Sequence, residues 1–428
     1  MKLTRRKVLI GVVVAVPLLL LGGCVLLSID EPPPDDSDLA VTRSVVPEEE
    51  NGFRFVKDLE EPEPVVATDE DGEEETLDPG TPFTEGWNPK VAQEYLDKNP
   101  ELLECLEKVL SAPRFQVPEL AHIGESQEFV FRLRDLAYAV GYRAGLRWKA
   151  GVEEDAWRDA LALVHLARRM QGGEGEVLVC LIGVSVESTG VRLLRELVLR
   201  TKSPDGEVLQ LLSELGSRSI EDAGFSLAFK AGHQLLCKMI ERMHSGEEFD
   251  AQWDDRTMKL WNRLSFTRGL ALKPNKSRLL SAQYFRQLVA YRAPWKDKAQ
   301  PLGPCGELPH VEFTWWPPDN LAGKAILGVM LPTYVACLDV LGQLHAERST
   351  PAVLFALRRY ERDRGGLPEK LDDLVPKYLE RVPIDPFDAR PLKYSREKRV
   401  IYSIGPGGQN ADGTKEDHSW AIEAPGGK

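Results

Sequence analysis

Residues Val8 to Ile29, VLIGVVVAVPLLLLGGCVLLSI, run for 22 positions without a charge. Wound into a helix, the run measures about 33 Å, against roughly 30 Å of bilayer hydrocarbon. Lys2, Arg5, Arg6 and Lys7 stand before it, and Asp30, Glu31, Asp35, Asp36 and Asp38 after it. This asymmetry predicts a transmembrane helix over 8–29, with residues 1–7 as its cytoplasmic flank and the remainder outside the membrane. Everything downstream is then expected to fold as an extracytoplasmic body attached at one end.

Two further readings of the attachment stay open. Leu21-Gly22-Gly23-Cys24 resembles a lipobox, and acylation of Cys24 after cleavage would replace the helix by lipid; the apolar Val25-Leu26-Leu27 beyond the cysteine argues for the span instead. A cleaved ordinary signal is the third, served poorly by Gly22-Gly23 as a cleavage site. Arg5-Arg6 also fits a twin-arginine export signal, although paired arginines are ordinary in any basic flank.

The formal charge of −13 is spread unevenly. Residues 1–30 carry +3, residues 31–80 carry 18 acids against Arg43, Arg54 and Lys57, and the rest of the chain sums to about −1. A near-neutral body argues against nucleic acid as a partner, which needs clustered Lys and Arg. Residues 30–87 read as an acidic, proline-rich linker, extended by self-repulsion and by Pro32-Pro33-Pro34, so that the body would stand well off the bilayer. Phe53, Phe55, Val56 and Leu59 interrupt the acidity, and this 53–59 segment is expected to dock on the body. The six cysteines, Cys24, Cys105, Cys180, Cys237, Cys305 and Cys337, form no C-x-x-C pair, so no redox motif or structural zinc site is signalled. An exported body permits disulfides; Cys180 and Cys237, within apolar helical runs, read as core residues.

From Asn88 the apolar spacing is helical, and 88–352 is expected to be a helical ectodomain. Helices are expected over 89–98 and 101–110, broken at Pro100, then over 127–149, 153–170, 178–200, 204–215, 220–244, from 275 or 277 to 293, and over 320–365 with kinks or breaks at Pro332 and Pro351. In 153–170, Ala156, Ala160, Leu163, Val164, Ala167 and Met170 form one stripe. Leu178 to Val186 is almost wholly apolar but too short to span a membrane, which makes it a core helix. Residues 294–318, with Trp295, Trp315 and Trp316, read as an ordered loop. Short breaks between helices imply antiparallel hairpins in an irregular solenoid or bundle. Gly151 and Ala156 fit the middle of a tetratricopeptide repeat, but Arg147 and Arg168 stand where that consensus has an aromatic and a proline.

The texture changes near Tyr360, and 353–428 is expected to be a small α+β module. Gly365-Gly366 ends a helix, Pro368 to Leu374 opens a short one, and residues 391–394 and 399–403 read as a hairpin, with a last strand over 420–422. Tyr360, Asp363, Gly365, Pro368, Leu371, Leu374-Val375, Tyr378, Val382-Pro383, Asp385-Pro386-Phe387, Tyr394 and Tyr402-Ser403-Ile404-Gly405 recur in the order found in one family. This part, about 65 residues, resembles the C-terminal half of the major pseudopilins of type II secretion. The N-terminus departs from that family, having no short leader, cleavage glycine or Glu early in the mature helix. The chain as a whole resembles bacterial envelope proteins that join a helical ectodomain to such a tail, among which Asn275 of the Lys273–Lys276 stretch, Asn320 and Gly323 look like recurrent features. The resemblance implies a calcium site in the loop after the Ser403 strand, with Asp412 and Asp417 as candidate ligands and Glu416 beside them. Gly407 stands where the family has a ligating aspartate, so one ligand is lost.

No catalytic constellation assembles from spacing alone. The seven histidines include no H-E-x-x-H, and His165 and His233 read as structural. Gly224 to Ala228 approximates a nucleophile elbow but lies in a helical run. No glycine-rich stretch precedes Lys-Ser or Lys-Thr. Adjacent acids such as Asp254-Asp255 and Asp372-Asp373 read as solvated surface. The expectation is a mainly α, non-enzymatic protein, single-pass in the bacterial inner membrane, that works through protein partners. The alternatives are an envelope hydrolase acting on cell-wall glycan or peptide, and an accessory part of a secretion or pilus system.

Overall fold

The computed structural model describes residues 29–68, 74–118, 126–172, 177–201, 223–245, 272–292, 319–408 and 418–423, with positions 175, 212, 410 and 412–414. The expected span up to Ser28, with Cys24, the helix 204–215 apart from Leu212, the loop 294–318, Glu416 and Asp417 lie outside these residues. In chain order the elements are α1 (Phe53–Lys57), β1 (Val66–Thr68), β2 (Glu74–Thr76), α2 (Pro89–Lys98), α3 (Pro100–Ser111), α4 (Ser126–Lys149), α5 (Glu153–Gly172), α6 (Val177–Arg200), α7 (Ala223–Ser245), α8 (Pro274–Arg292), α9 (Leu321–Arg364), β3 (Lys393–Ser395), β4 (Val400–Tyr402) and β5 (Ser419–Ala421). The protein is mainly helical, with a small antiparallel sheet near the C-terminus.

Local chemistry sets the element boundaries. The Asn88 side chain accepts from the N–H groups of Lys90 and Val91, and Pro89 fills the first helical position, where no N–H is needed. Pro100, read from the sequence as a break, opens α3 for the same reason. The α5 stripe is fully buried at Ala156, Ala160, Leu163, Val164, Ala167 and Met170. It packs antiparallel against α6, where a Cβ on Gly183 would lie 3.0 Å from the Ala167 carbonyl oxygen and one on Gly190 3.0 Å from that of Ala160. The two glycines therefore let the helices approach to backbone contact.

Two apolar clusters form the interior. The first gathers α1 to α6, the second half of α9 and the C-terminal module. The second gathers Leu39, the start of α6, α7, α8 and the first half of α9. The 44-residue α9, about 66 Å long, joins them. It runs unbroken through Pro332 and Pro351 and across the expected domain boundary at 352/353. An interior proline costs a helix about 3 kcal/mol. Burial of Val353, Leu354, Phe355 and Leu357, at about 1.5–3 kcal/mol per large side chain, outweighs it. Both α6 and α9 are long and apolar enough to cross a membrane. Over its most apolar window α6 is 61% buried, as a core helix is, whereas α9 is 33% buried and exposes Val329 and Val340.

The C-terminal sheet has the order β3-β4-β5, with Lys393 opposite Tyr402 and Val400 opposite Ala421. Ile401 and Trp420 turn into the first cluster beside Leu371, Leu374 and Tyr378. The carboxylate of buried Asp385 accepts from the N–H groups of Phe387 and Ile404 and from the Ser403 hydroxyl, tying the D-P-F turn to the end of β4.

The acidic segment is not the extended spacer that its charge implies. Leu39 is buried in the second cluster, and Phe53, Val56 and Leu59 in the first. Arg43 donates to the Val117 carbonyl oxygen at 2.7 Å, and Asn51 exchanges hydrogen bonds with Gln116 at 2.7 and 2.9 Å. Several of the acids meet cations of the body: Glu31 meets Lys276, Asp36 meets Arg278, Asp38 meets Arg286, and Glu63 meets Lys98. Opposite charge supplied by the body offsets part of the self-repulsion, and apolar burial of Leu39, Phe53, Val56 and Leu59 adds to the docking. Residues 29–65 form a strap laid over the helices, so the body begins where the apolar run ends.

Candidate functional site

Between α6 and α9 lies a cleft of about 440 Å³. Leu181, Val184, Ser185, Ser188, Thr189 and Arg192 line it from α6, at the three- and four-residue spacing of one helix face. Val340, Gln343, Leu344 and Glu347 line it from α9. Glu347 accepts from the Ser188 hydroxyl at 2.7 Å and from the Gln343 amide at 3.3 Å. Glu187 and Arg348, each next in the chain to a lining residue, tie the two helices together. The fully buried Glu187 carboxylate accepts two bonds from Arg348, at 2.7 and 2.5 Å, and one from Gln171 at 2.8 Å, with Arg168 at 3.6 Å. A buried charge network of this kind holds the cleft walls in one geometry.

Arg192 and Arg195, one turn apart on α6, differ from these charges. Neither has a hydrogen bond or an ion pair among the described residues. Burial weakens the hold of each on its proton, with Glu196 and Glu347 opposing the effect on both. Glu196 is itself bonded to Arg200, and Glu347 to Ser188 and Gln343.

A second polar constellation pins the strap. Asp36 accepts two bonds from Arg278, at 2.5 and 2.8 Å, and faces His233 Nε2 at 2.9 Å. On the other side of the ring, Nδ1 meets the Ser281 hydroxyl at 2.8 Å. The hydrogen bonds from Arg278 hold Asp36 down to about 2 against the cost of burial, with His233 assisting. Burial lowers His233 and pushes the Cys237 thiol up to about 12. The ligand atoms of Asp36, His233 and Cys237 lie within 4.8 Å of one another. Their arrangement is nevertheless a clamp and not a metal centre. Both Asp36 oxygens are engaged by Arg278, and Cys237 Sγ lies 3.7 and 3.8 Å from the two ring nitrogens, alongside the imidazole instead of in front of Nε2. Nor is it a nucleophilic triad: Ser281 is fully buried in α8. A smaller cavity of about 290 Å³, lined by Ser44, Val46 and Pro113 to Gln116, belongs to the seam between strap and body.

The residues singled out in the sequence fall as follows. Asp412 is exposed, accepts from the Thr414 N–H and hydroxyl, and lies 4.0 Å from Lys398 Nζ; the Thr414 bonds keep it below the usual carboxylate range. Its expected calcium partner Asp417 lies outside the described residues. Gly224 to Ala228 sits within α7 with Phe225 and Ala228 buried, which leaves no elbow. Asp372 and Asp373 are exposed on a surface turn, and His165 is exposed on α5. Lys273 to Lys276 and Asn320 come together where α8 and α9 begin: the Lys273 N–H donates to Asn320 Oδ1 at 2.8 Å, and Asn320 Nδ2 donates to the Ser277 hydroxyl at 2.9 Å. The N–H groups of Asn275 and Lys276 donate to Asp30, which caps α8 from about 245 residues away. Comparison of the chain with protein-family models, with curated proteins and with solved structures returns no match.

Sequence reasoning misses the cleft arginines and the clamp. His233 and Cys237 do carry a local signal, since i and i+4 share a helix face. Asp36 carries none, because its partners lie about 200 residues downstream.

Proposed function

We propose that the chain is a membrane-anchored extracytoplasmic scaffold of the bacterial envelope, which binds protein partners through the cleft between α6 and α9. The observation that carries this reading is the lining of the cleft: aliphatic side chains, hydroxyls, one amide, one guanidinium and a single carboxylate already engaged by Ser188 and Gln343. Glycan hydrolysis by paired acids needs two carboxyl groups roughly 5–10 Å apart across the bond to be cut. The cleft lining supplies one. Anchoring rests on the charge-free run 8–29. The C-terminal module, which we read as pseudopilin-like, caps the first cluster and leaves the cleft open.

The test is site-specific photo-crosslinking in cells expressing the full chain. A photo-reactive residue at Thr189 is expected to capture discrete proteins, and one at exposed Asp372 is not. Val340→Arg, at a position 43% exposed on the cleft wall, should fold normally and abolish capture from 189. Capture that is unaffected by Val340→Arg, or equal from 189 and 372, removes the cleft from the account.

A further inference from the structure

A guanidinium partly withdrawn from water is expensive unless an anion stands beside it, and arginines in such places are almost always paired. Arg192 and Arg195 break that pattern together. They lie on adjacent positions of one helix face, about 5–6 Å apart at their β-carbons. Arg192 lines the cleft, and Arg195 continues the same face of α6 one turn further on, beyond the lining residues. The two acids within electrostatic reach of both, Glu196 and Glu347, are each engaged by other donors. The remaining polar wall, Ser185, Thr189 and Gln343, offers hydroxyl and amide groups along the cleft and no further negative charge.

We propose that Arg192 and Arg195 form the anion-binding end of the cleft, and that its ligand is a short peptide segment whose carboxylate they bind. This deepens the partner reading above and rests on it. A guanidinium offers forked N–H donors that match a carboxylate, the pairing in which arginine gives its strongest hydrogen bonds, and a second one a turn away adds positive charge beside it. Glu347 on the facing wall is held by Ser188 and Gln343, one donor on each oxygen, so the cleft has a polarity: the ligand carboxylate lies toward α6 and away from Glu347. Hydroxyls and the Gln343 amide satisfy the intervening peptide groups, and the aliphatic part of the lining takes side chains. A volume of about 440 Å³ accommodates a few residues, not a folded domain.

The full-length protein in detergent is titrated with three randomised tetrapeptide pools, followed by saturation-transfer NMR. One pool has a free C-terminal carboxylate. The second is amidated but carries one Asp or Glu. The third is amidated and uncharged. The first or second pool is expected to bind at least tenfold more tightly than the third, and which of them does so separates a terminal carboxylate from a side-chain one. Arg192→Gln/Arg195→Gln should erase that difference while leaving the melting temperature unchanged or raised, because it removes unpaired desolvated charge. The proposal is overturned if the uncharged pool binds as well as the others, if the double variant keeps the preference, or if the double variant melts well below the parent, which would make the arginines structural. Cleft-dependent crosslinking without any carboxylate preference would overturn this inference alone. Loss of cleft dependence in the crosslinking overturns the partner reading itself.

Discussion

Glu187 shows how much one buried side chain can organise. Its carboxylate is fully buried on α6 and takes two hydrogen bonds from Arg348 of α9 and one from Gln171 of α5, so three helices meet on one charge. Removing a partner from such a group costs far more than the pair itself contributes, because an uncompensated charge stays behind. Arg348→Met should therefore lower stability by about 3–5 kcal/mol in urea unfolding. Glu187→Leu/Arg348→Met, which removes both charges, should recover most of that loss. If the double variant is as unstable as the single one, packing and not charge dominates this position. Arg192 and Arg195 lie five and eight residues further along the same helix and lack such partners. They are therefore available to a ligand, whereas the guanidinium of Arg348 is used up in holding the fold.

At the scale of elements, the starts of α8 and α9 form one unit. Lys273 and Lys276 both hold Asp319, and Asn320, in the left-handed region at φ 57°, bonds to Lys273 and Ser277. Gly323 is required there, since a Cβ would lie 2.1 Å from Ser277 Oγ. Burial alone would raise the Asp319 pKa, but hydrogen bonds from Lys273 and Lys276 outweigh it and leave the group below the ordinary carboxylate value. A depressed folded-state value means stability that is present above the unfolded pKa of 3.8 and is lost as pH falls through the folded value. Asp319→Asn is thus expected to destabilise at pH 7, by about 1.5–3 kcal/mol, and to match the parent once the pH is well below the carboxylate range. Urea midpoints at the two pH values check this, and a pH-independent difference would count against it. Most helices were legible in the sequence, because a stripe such as Ala156 to Met170 repeats at the helical period. The strap was not. Its acids look alike along the chain, and only the folded positions of Arg278 and Arg286 distinguish a docked acid from a solvated one. The cleft was equally silent, since an unpaired arginine reads like any other until its surroundings are built.

For the molecule as a whole, the strap changes what the apolar run does. A flexible acidic spacer would leave the body free to sample tens of ångströms above a bilayer. Asp30, one residue past the run, instead caps α8, and Glu31 reaches Lys276 at 3.4 Å. One residue of chain spans no more than about 3.6 Å, so if the run spans a bilayer, the starts of α8 and α9 lie at its surface. A fluorophore at Lys324, in the first turn of α9, should be strongly quenched by a headgroup-borne quencher when the full chain is reconstituted in liposomes. Inserting about 20 Gly-Ser residues between Ile29 and Asp30 adds a flexible reach of about 25 Å and should relieve most of the quenching without altering the melting temperature. Equal quenching in the two proteins would mean that the body rests on lipid through its own surface, the exposed apolar side of α9 around Val329 and Val340 being the obvious contact. Weak quenching in both would mean that the run does not hold the body at a bilayer. Strong quenching that the insertion relieves makes the strap the element that sets the height of the cleft above the membrane, and so the distance at which a partner must present its carboxylate.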